Sequence, residues 1–384
     1  MRARSIQGGI YCVDKNNADR RRGLWQTPVP APPGGDWNAG GRNHCIWRNP
    51  VPLRRFADGY AGVLRSVQRH RALRRCLCSV QPVAVQKAVS RRLELTVTPD
   101  LAGIKVDTLL RKRLGLSGTV VKRIKWLEDG ILVDGVRVHT DFRPAAGQVL
   151  SVRLDDPERR SGVVPAPGPL DVVYEDADLV VLNKAAGVSV HPGPGHFDDT
   201  LGNFLLYHYD SEGETADFHP VHRLDRGTSG LLAVAKHPHA QEVLKNQLHT
   251  PDFRRVYLAV CEGVLEPPAG IVDAPLGPRP GSLMEQMVRA DGKPARTRYG
   301  VLRRWGSRSL IALELETGRT HQIRVHMAHI CHPLTGDFLY GREDRTLIGR
   351  PALHSGYLSF LHPLTGERLQ FSLPLPEDIA GLRL

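Results

Sequence analysis

Apolar positions recur along this chain in short runs, and their spacing changes twice. From Leu170 onward the runs are strand-like: DVVYEDADLVVLNK (171–184), GLLAVAK (230–236), RVYLAVCEGVL (255–265), RSLIALELET (308–317) and YLSFLHP (357–363). Gly- and Pro-rich turns separate them, as expected between strands. Helical spacing is sparse here, with AQEVLKNQLH (239–248) as the clearest case. The region therefore predicts an α+β domain on a large mixed, mostly antiparallel sheet. QIRVHM (322–327) reads as one more strand.

Residues 93–154 follow another rhythm. KVDTLLRKRL (105–114) and SGTVVKRIKWLE (117–128) predict two short helices. Ser117 is placed to cap the second, and Val120, Val121, Ile124 and Leu127 form its apolar stripe. ILVDGVRV (131–138) predicts a hairpin, because Asp-Gly accepts the positive φ angles of a type I′ turn. GQVLSVRL (147–154) adds a strand, which completes a small α/β unit. Residues 155–169 (DDPERRSGVVPAPGP) read as a Pro-rich, semi-rigid linker to a second domain at 170–384. Residues 1–92 keep no sustained period and are rich in Arg, Pro and Gly. That composition favours disorder over a packed core. A basic RNA-binding arm, a targeting segment and a translated stretch upstream of the true start are the competing readings. No Met occurs between Met1 and Met284, and the stretch is expected to lie outside the folded protein.

Charge alters the picture only locally. The formal net charge is +12, but residues 1–92 hold 18 basic and four acidic groups, leaving 34 basic and 36 acidic in the remainder. A nucleic-acid reading must therefore rest on patches. One such patch lies off the apolar stripes of the two short helices: Arg111, Lys112, Arg113, Lys122, Arg123 and Lys125. It is either a solvated face or a surface for phosphates. No apolar run approaches a membrane span, and no compact apolar run marks a secretory signal. Six cysteines without a CxxC pair do not predict a disulfide framework, so a cytoplasmic, reduced location is the default; a monomer is expected.

The candidate chemistry centres on HRLDRGTSGLLAVAK (222–236), where Asp225 sits between Arg223 and Arg226 at the head of an apolar strand. A metal site is one rival, because His321, His326, His329, Cys331 and His332 crowd one stretch and His354 follows. Neither HExxH nor spaced Cys/His pairs occur, and on a strand His321 and His326 would face opposite ways. A glycosidase would need two carboxylates about one sugar, and acids are sparse around Asp225. Phosphate-cradling glycine loops of the nucleotide-binding kinds are absent. What remains is one carboxylate with distant company: Arg319 and Arg324 in TGRTHQIRVH (317–326), and Tyr257 on the 255–265 strand. An arginine partner would hold such a carboxylate charged and aimed. Taken singly, the arginines read as surface charges and the tyrosine as core before any reading as chemistry.

Together the segments resemble the RluA-type family of RNA pseudouridine synthases. YEDADLVVLNKAAGVSVHPG (174–193), HRLDRGTSGLLAVAK (222–236), RVYLAVCEG (255–263), TGRTHQIRVHMAHICHPLTGDFLYG (317–341) and ALHSGYLSFLHPLTGE (352–367) are similar to its motifs, in order. Residues 93–154 resemble the S4-type RNA-binding domain that often precedes such a catalytic domain. One departure is Ala185, where the family usually has Pro. The resemblance implies that Asp225 initiates isomerisation of a uridine within RNA, by attack or by proton removal. It implies Arg324 as the pairing partner of Asp225, and Tyr257 packed on the base with its hydroxyl available for a later proton transfer. Arg223 would fill the space left by the extruded uridine or hold a phosphate. Arg111, Lys112, Lys122, Arg123 and Lys125 would contact RNA. No cofactor and no metal are implied. Large-subunit ribosomal RNA is the expected substrate, with tRNA and a non-catalytic RNA-binding factor as alternatives.

Overall fold

The computed structural model describes residues 91–155 and 158–382, so all of the Arg/Pro/Gly-rich stretch except Arg91 and Arg92 lies outside the described residues. The first unit contains β1 (Arg92–Thr96), α1 (Val106–Lys112), α2 (Gly118–Ile124), β2 (Ile131–Val133), β3 (Val136–Arg137) and β4 (Val149–Arg153). Its four strands pair antiparallel in the order β1-β4-β2-β3. The Ser117 side chain accepts from the Val120 N–H at 3.2 Å, capping α2. Asp134 and Gly135 both have positive φ, as the β2–β3 turn requires. Val120, Val121 and Ile124 pack with Leu109, Leu110, Leu150 and Val152 in a separate apolar core.

The second unit contains β5 (Val172–Glu175), β6 (Leu179–Lys184), α3 (Leu201–Ser211), β7 (His219–Pro220), β8 (Ser229–Ala235), α4 (Pro238–Gln247), β9 (Arg254–Glu262), β10 (Ala269–Asp273), β11 (Leu276–Pro278), β12 (Gln286–Val288), β13 (Arg296–Trp305), β14 (Arg308–Leu315), α5 (Gln322–His329), β15 (Leu353–Leu361), β16 (Arg368–Ser372) and α6 (Glu377–Ala380). Ten of these strands form one sheet along β10-β13-β14-β9-β15-β8-β6-β5, with β16 beside β15 and β7 beside β8. Only β15 and β8 run parallel, so the sheet is mixed and mostly antiparallel, as expected.

Strand β8 is buried along its whole length. Its side chains alternate between two cores: Leu232 and Val234 pack on one face, and Leu231, Ala233 and Ala235 on the other. A buried leucine contributes roughly 1.5–3 kcal/mol, so this strand is a rigid mount for whatever precedes it. At Gly230 φ is +109°, and an added Cβ would come within 2.3 Å of the Ser355 carbonyl oxygen. Only glycine allows β8 to approach β15 this closely.

Two expectations need correction. QIRVHM is not a strand but most of helix α5, with His321 as its N-cap in the left-handed region at φ 55°. Six apolar and polar residues are too short a window to separate a two-residue from a 3.6-residue period. Helix α3 was not expected from its near-continuous LGNFLL run. The signal was Thr200 followed three residues later by Asn203, whose side chain accepts from the Thr200 N–H at 3.0 Å. The Pro-rich segment after β4 is also tied down: Asp217 accepts from the Arg160 and Ser161 N–H groups at 2.8 Å, and Asn203 donates to the Val164 carbonyl at 2.7 Å.

Candidate active site

A cleft of about 360 Å³ is lined chiefly by the β7–β8 loop, β9, the turn after β14, and α5, with His191, Leu248, His249 and Leu353 completing its wall. Asp225 projects from the loop, with its side chain 20% exposed. The loop is held from beneath. The Thr228 N–H donates to the Asp225 carbonyl at 3.0 Å, and Arg350 donates to the Gly227 carbonyl at 3.1 Å while pairing with Asp378. The fully buried Lys184 ammonium donates to the carbonyls of Ala185, Val188 and Arg226 at 2.8, 2.8 and 3.2 Å. Burial pulls the Lys184 pKa down to about 7, and the charge of Asp225 opposes that shift. Ala185 thus sits in a turn that this lysine pins.

Arg324 enters from α5. Its Nε and Nη2 form a bidentate pair with Asp337, both at 2.7 Å, and its Nη1 lies 3.8 Å from Asp225. The expected Asp225–Arg324 pair is present as the longer contact, and the tighter partner is Asp337, whose side chain is 0% exposed. Burial opposes the charge on Arg324, but Asp337 and then Asp225 outweigh it and raise its pKa. Its guanidinium also lies 5.1 Å from the Tyr340 ring centre and 5.7 Å from that of Phe338. Asp337 escaped the sequence reading because TGDFLYG resembles a turn, and a turn aspartate is ordinarily solvated.

Tyr257 reaches the cleft from β9, on the face that carries Ala259 and Cys261 into the main core. Burial pushes its phenol pKa up, so the hydroxyl stays protonated. Arg223 and Arg319 line the mouth and are exposed; Arg319 donates to the Pro294 carbonyl at 3.1 Å. Among the described residues, Asp225 is the single acid lining a cleft that holds four arginines: Arg223, Arg255, Arg319 and Arg324. His321 also faces the cleft. Its Nδ1 and the Tyr340 hydroxyl share a hydrogen bond of 2.8 Å, and that hydroxyl accepts from the Gln286 N–H. Burial lowers the His321 pKa although Asp225 raises it.

The histidine-rich stretch is dispersed rather than gathered. His326 turns away to Thr297 and the Ala274 carbonyl, His332 meets the Glu262 carbonyl, and His354 meets Ser229. One group of metal-type donors exists among the described residues: Asp176, Asp178 and His362. Its oxygens are engaged by the Tyr174 hydroxyl, by His237 and by a bidentate Arg91, so it works as an ion-pair network.

None of the basic residues of the two short helices lines this cleft. Lys112 and Lys122 are exposed, and Lys125 lies 4.8 Å from the ring centre of the exposed Trp126. Arg111 pairs with Asp107 one turn back at 2.9 Å, and Arg113 with Asp100 at 3.5 Å. Arg123 is half-buried, and its charge is among those felt by His219 of the larger unit.

Comparison with known proteins agrees with this geometry. Residues 178–329 match the family model described as RNA pseudouridylate synthase. The chain is 40% identical over 269 residues to the uncharacterized RNA pseudouridine synthase YjbO of Bacillus subtilis, spanning 70% of this chain and 95% of that protein. It is 40% identical over 296 residues to YlyB of the same organism, also named an uncharacterized RNA pseudouridine synthase, over 76% and 97% of the two chains. It is 38% identical over 304 residues to ribosomal large subunit pseudouridine synthase D of Neisseria meningitidis, over 76% and 81%.

Proposed function

This chain belongs to the family of RNA pseudouridine synthases, and on that premise we propose that it isomerises uridines in large-subunit ribosomal RNA with Asp225 as the reactive carboxylate. The observation that carries the assignment is the lone carboxylate of the cleft among the described residues, set in the loop that leads into the rigid strand β8 and lining the same cleft as Arg324 and Tyr257. In the reaction the glycosidic C–N bond breaks, the uracil turns within the pocket, and a C–C bond to the ribose forms. The C5 hydrogen leaves as a proton and N1 gains one, so the product is an isomer of the uridine and the chemistry calls for no cofactor.

Asp225 acts as nucleophile or as base toward the ribose, and either role needs a charged, directed carboxylate. Arg324 supplies a fixed positive charge without occupying that carboxylate tightly, because Asp337 already takes its Nε and Nη2. The buried phenol of Tyr257 offers an apolar ring for the uracil and a protonated hydroxyl for the later proton transfer. Arg223, exposed two residues before Asp225, holds the flanking strand once the uridine is extruded. The small unit, with Arg111, Lys112, Lys122, Arg123 and Lys125 on its two helices, is read as an S4-type RNA-binding domain that anchors the same RNA. Ribosomal RNA is favoured because relatives matched over three quarters of this chain carry a large-subunit name.

The test is tritium release from RNA labelled at uridine C5, using large-subunit rRNA and a tRNA pool. Release from rRNA by the wild type, lost in Asp225→Asn, is the expected result. Release from tRNA alone would overturn the substrate, and undiminished release by Asp225→Asn would overturn the role of the carboxylate.

A further inference from the structure

Arg255 stands apart from the other arginines of the cleft. Arg324 has Asp337, while Arg223 and Arg319 reach water. Arg255 is only 5% exposed, yet among the described residues it has neither an ion pair nor a hydrogen-bond partner, and its Nε is buried without an acceptor. The Phe253 ring, 5.9 Å away, and Gly318, where an added Cβ would come 3.5 Å from Nη1, are apolar neighbours. A guanidinium taken out of water without an acid is unfavourable until an anion completes it. Arg255 lies two residues before Tyr257 on β9, so both side chains leave the same face, about 6–7 Å apart.

We propose that Arg255 binds a backbone phosphodiester of the RNA strand next to the uridine seated on Tyr257, and so sets the position of that strand relative to Asp225. This assignment rests on reading the cleft as an RNA site. A uracil is neutral, so the anion that RNA can bring here is a phosphate. The guanidinium offers its planar fork of donors to the phosphate oxygens. Asp225, the only acid lining the cleft among the described residues, forms no ion pair with Arg255 and has Arg324 as its nearest cation.

The test measures the affinity of the full chain for a large-subunit rRNA transcript across a salt series, alongside thermal melts without RNA. Arg255→Met is expected to melt at the same or a higher temperature than the wild type, since it removes a buried charge that nothing in the free protein balances. It is expected to bind RNA about tenfold more weakly, one charge-assisted contact being lost, with a salt dependence shallower by about 0.7–0.9. Arg255→Lys should restore most of the salt dependence. A markedly lower melting temperature or loss of folding in Arg255→Met would show a structural role and overturn the proposal, as would an unchanged salt slope. Tritium release by the wild type on the same transcript separates the two readings. An Arg255-dependent slope without release keeps the phosphate site and sinks isomerisation of that RNA; release with an unchanged slope does the reverse.

Discussion

At the scale of single residues, the cleft is governed by how charges are shared. Arg324 has two carboxylates and gives them unequal contacts, 2.7 Å to Asp337 and 3.8 Å to Asp225. The tight pair is structural, and the loose one holds Asp225 less firmly, as its proposed role requires. Asp337→Ala should therefore harm the enzyme twice. It strands a buried guanidinium, which typically costs about 3–5 kcal/mol, and it frees Arg324 to collapse onto Asp225. A lowered melting temperature together with a fall in turnover is expected. A variant with normal turnover would show that Arg324 needs no second acid. Lys184 plays a comparable role beneath the loop, where its three carbonyl contacts fix the turn that carries Asp225.

At the scale of elements, the sheet places the site, and its ends are secured by ion-pair clusters. His362, just beyond β15, pairs with Asp176 at 3.0 Å in the β5–β6 turn. Burial alone would lower its pKa, but Asp176 and Asp178 outweigh burial and raise it. The folded pKa therefore exceeds the unfolded value of about 6.5. The stabilisation is fully present below that value and is lost as pH rises through the folded pKa. His362→Gln should destabilise the protein more at pH 5.5 than at pH 9, measured by denaturant unfolding; a penalty independent of pH would mean that the charge plays no part. The strands β6, β8, β9, β14 and β15 were legible because burial on both faces requires continuous apolar runs. Strand β13 was not, because RTRYGVLRRW interleaves arginines with its inward residues and one bulge breaks its alternation at Val301–Arg303. Helix α5 was misread for a related reason: once buried on most sides, Ile323, Val325 and Met327 alternate as a strand would. Asp225, Tyr257 and Arg324 were legible as a set only through the long motifs around them. Lys184, Asp337 and Arg255 matter through burial, which a linear pattern does not reveal.

At the scale of the molecule, two units with separate cores share one boundary. Arg91 meets Asp178 through two bonds of 2.7 and 2.8 Å, and Leu364 from the β15–β16 turn packs on the core of the smaller unit. If the smaller unit anchors RNA while the larger one reacts with it, charge removal on the helices should change binding and spare chemistry. Replacing Lys112, Lys122 and Lys125 together by alanine should make the salt dependence of RNA affinity shallower by about 2 and leave turnover at saturating RNA unchanged. An unaltered salt dependence would place the RNA elsewhere. The proposed role of Asp225 in an internal rearrangement of uridine is read out by nucleoside analysis of large-subunit rRNA after incubation with the wild type and with Asp225→Asn. Pseudouridine is expected to appear in step with uridine loss, with no free uracil, and only with the wild type. Release of free uracil, or equal pseudouridine from Asp225→Asn, would contradict that role.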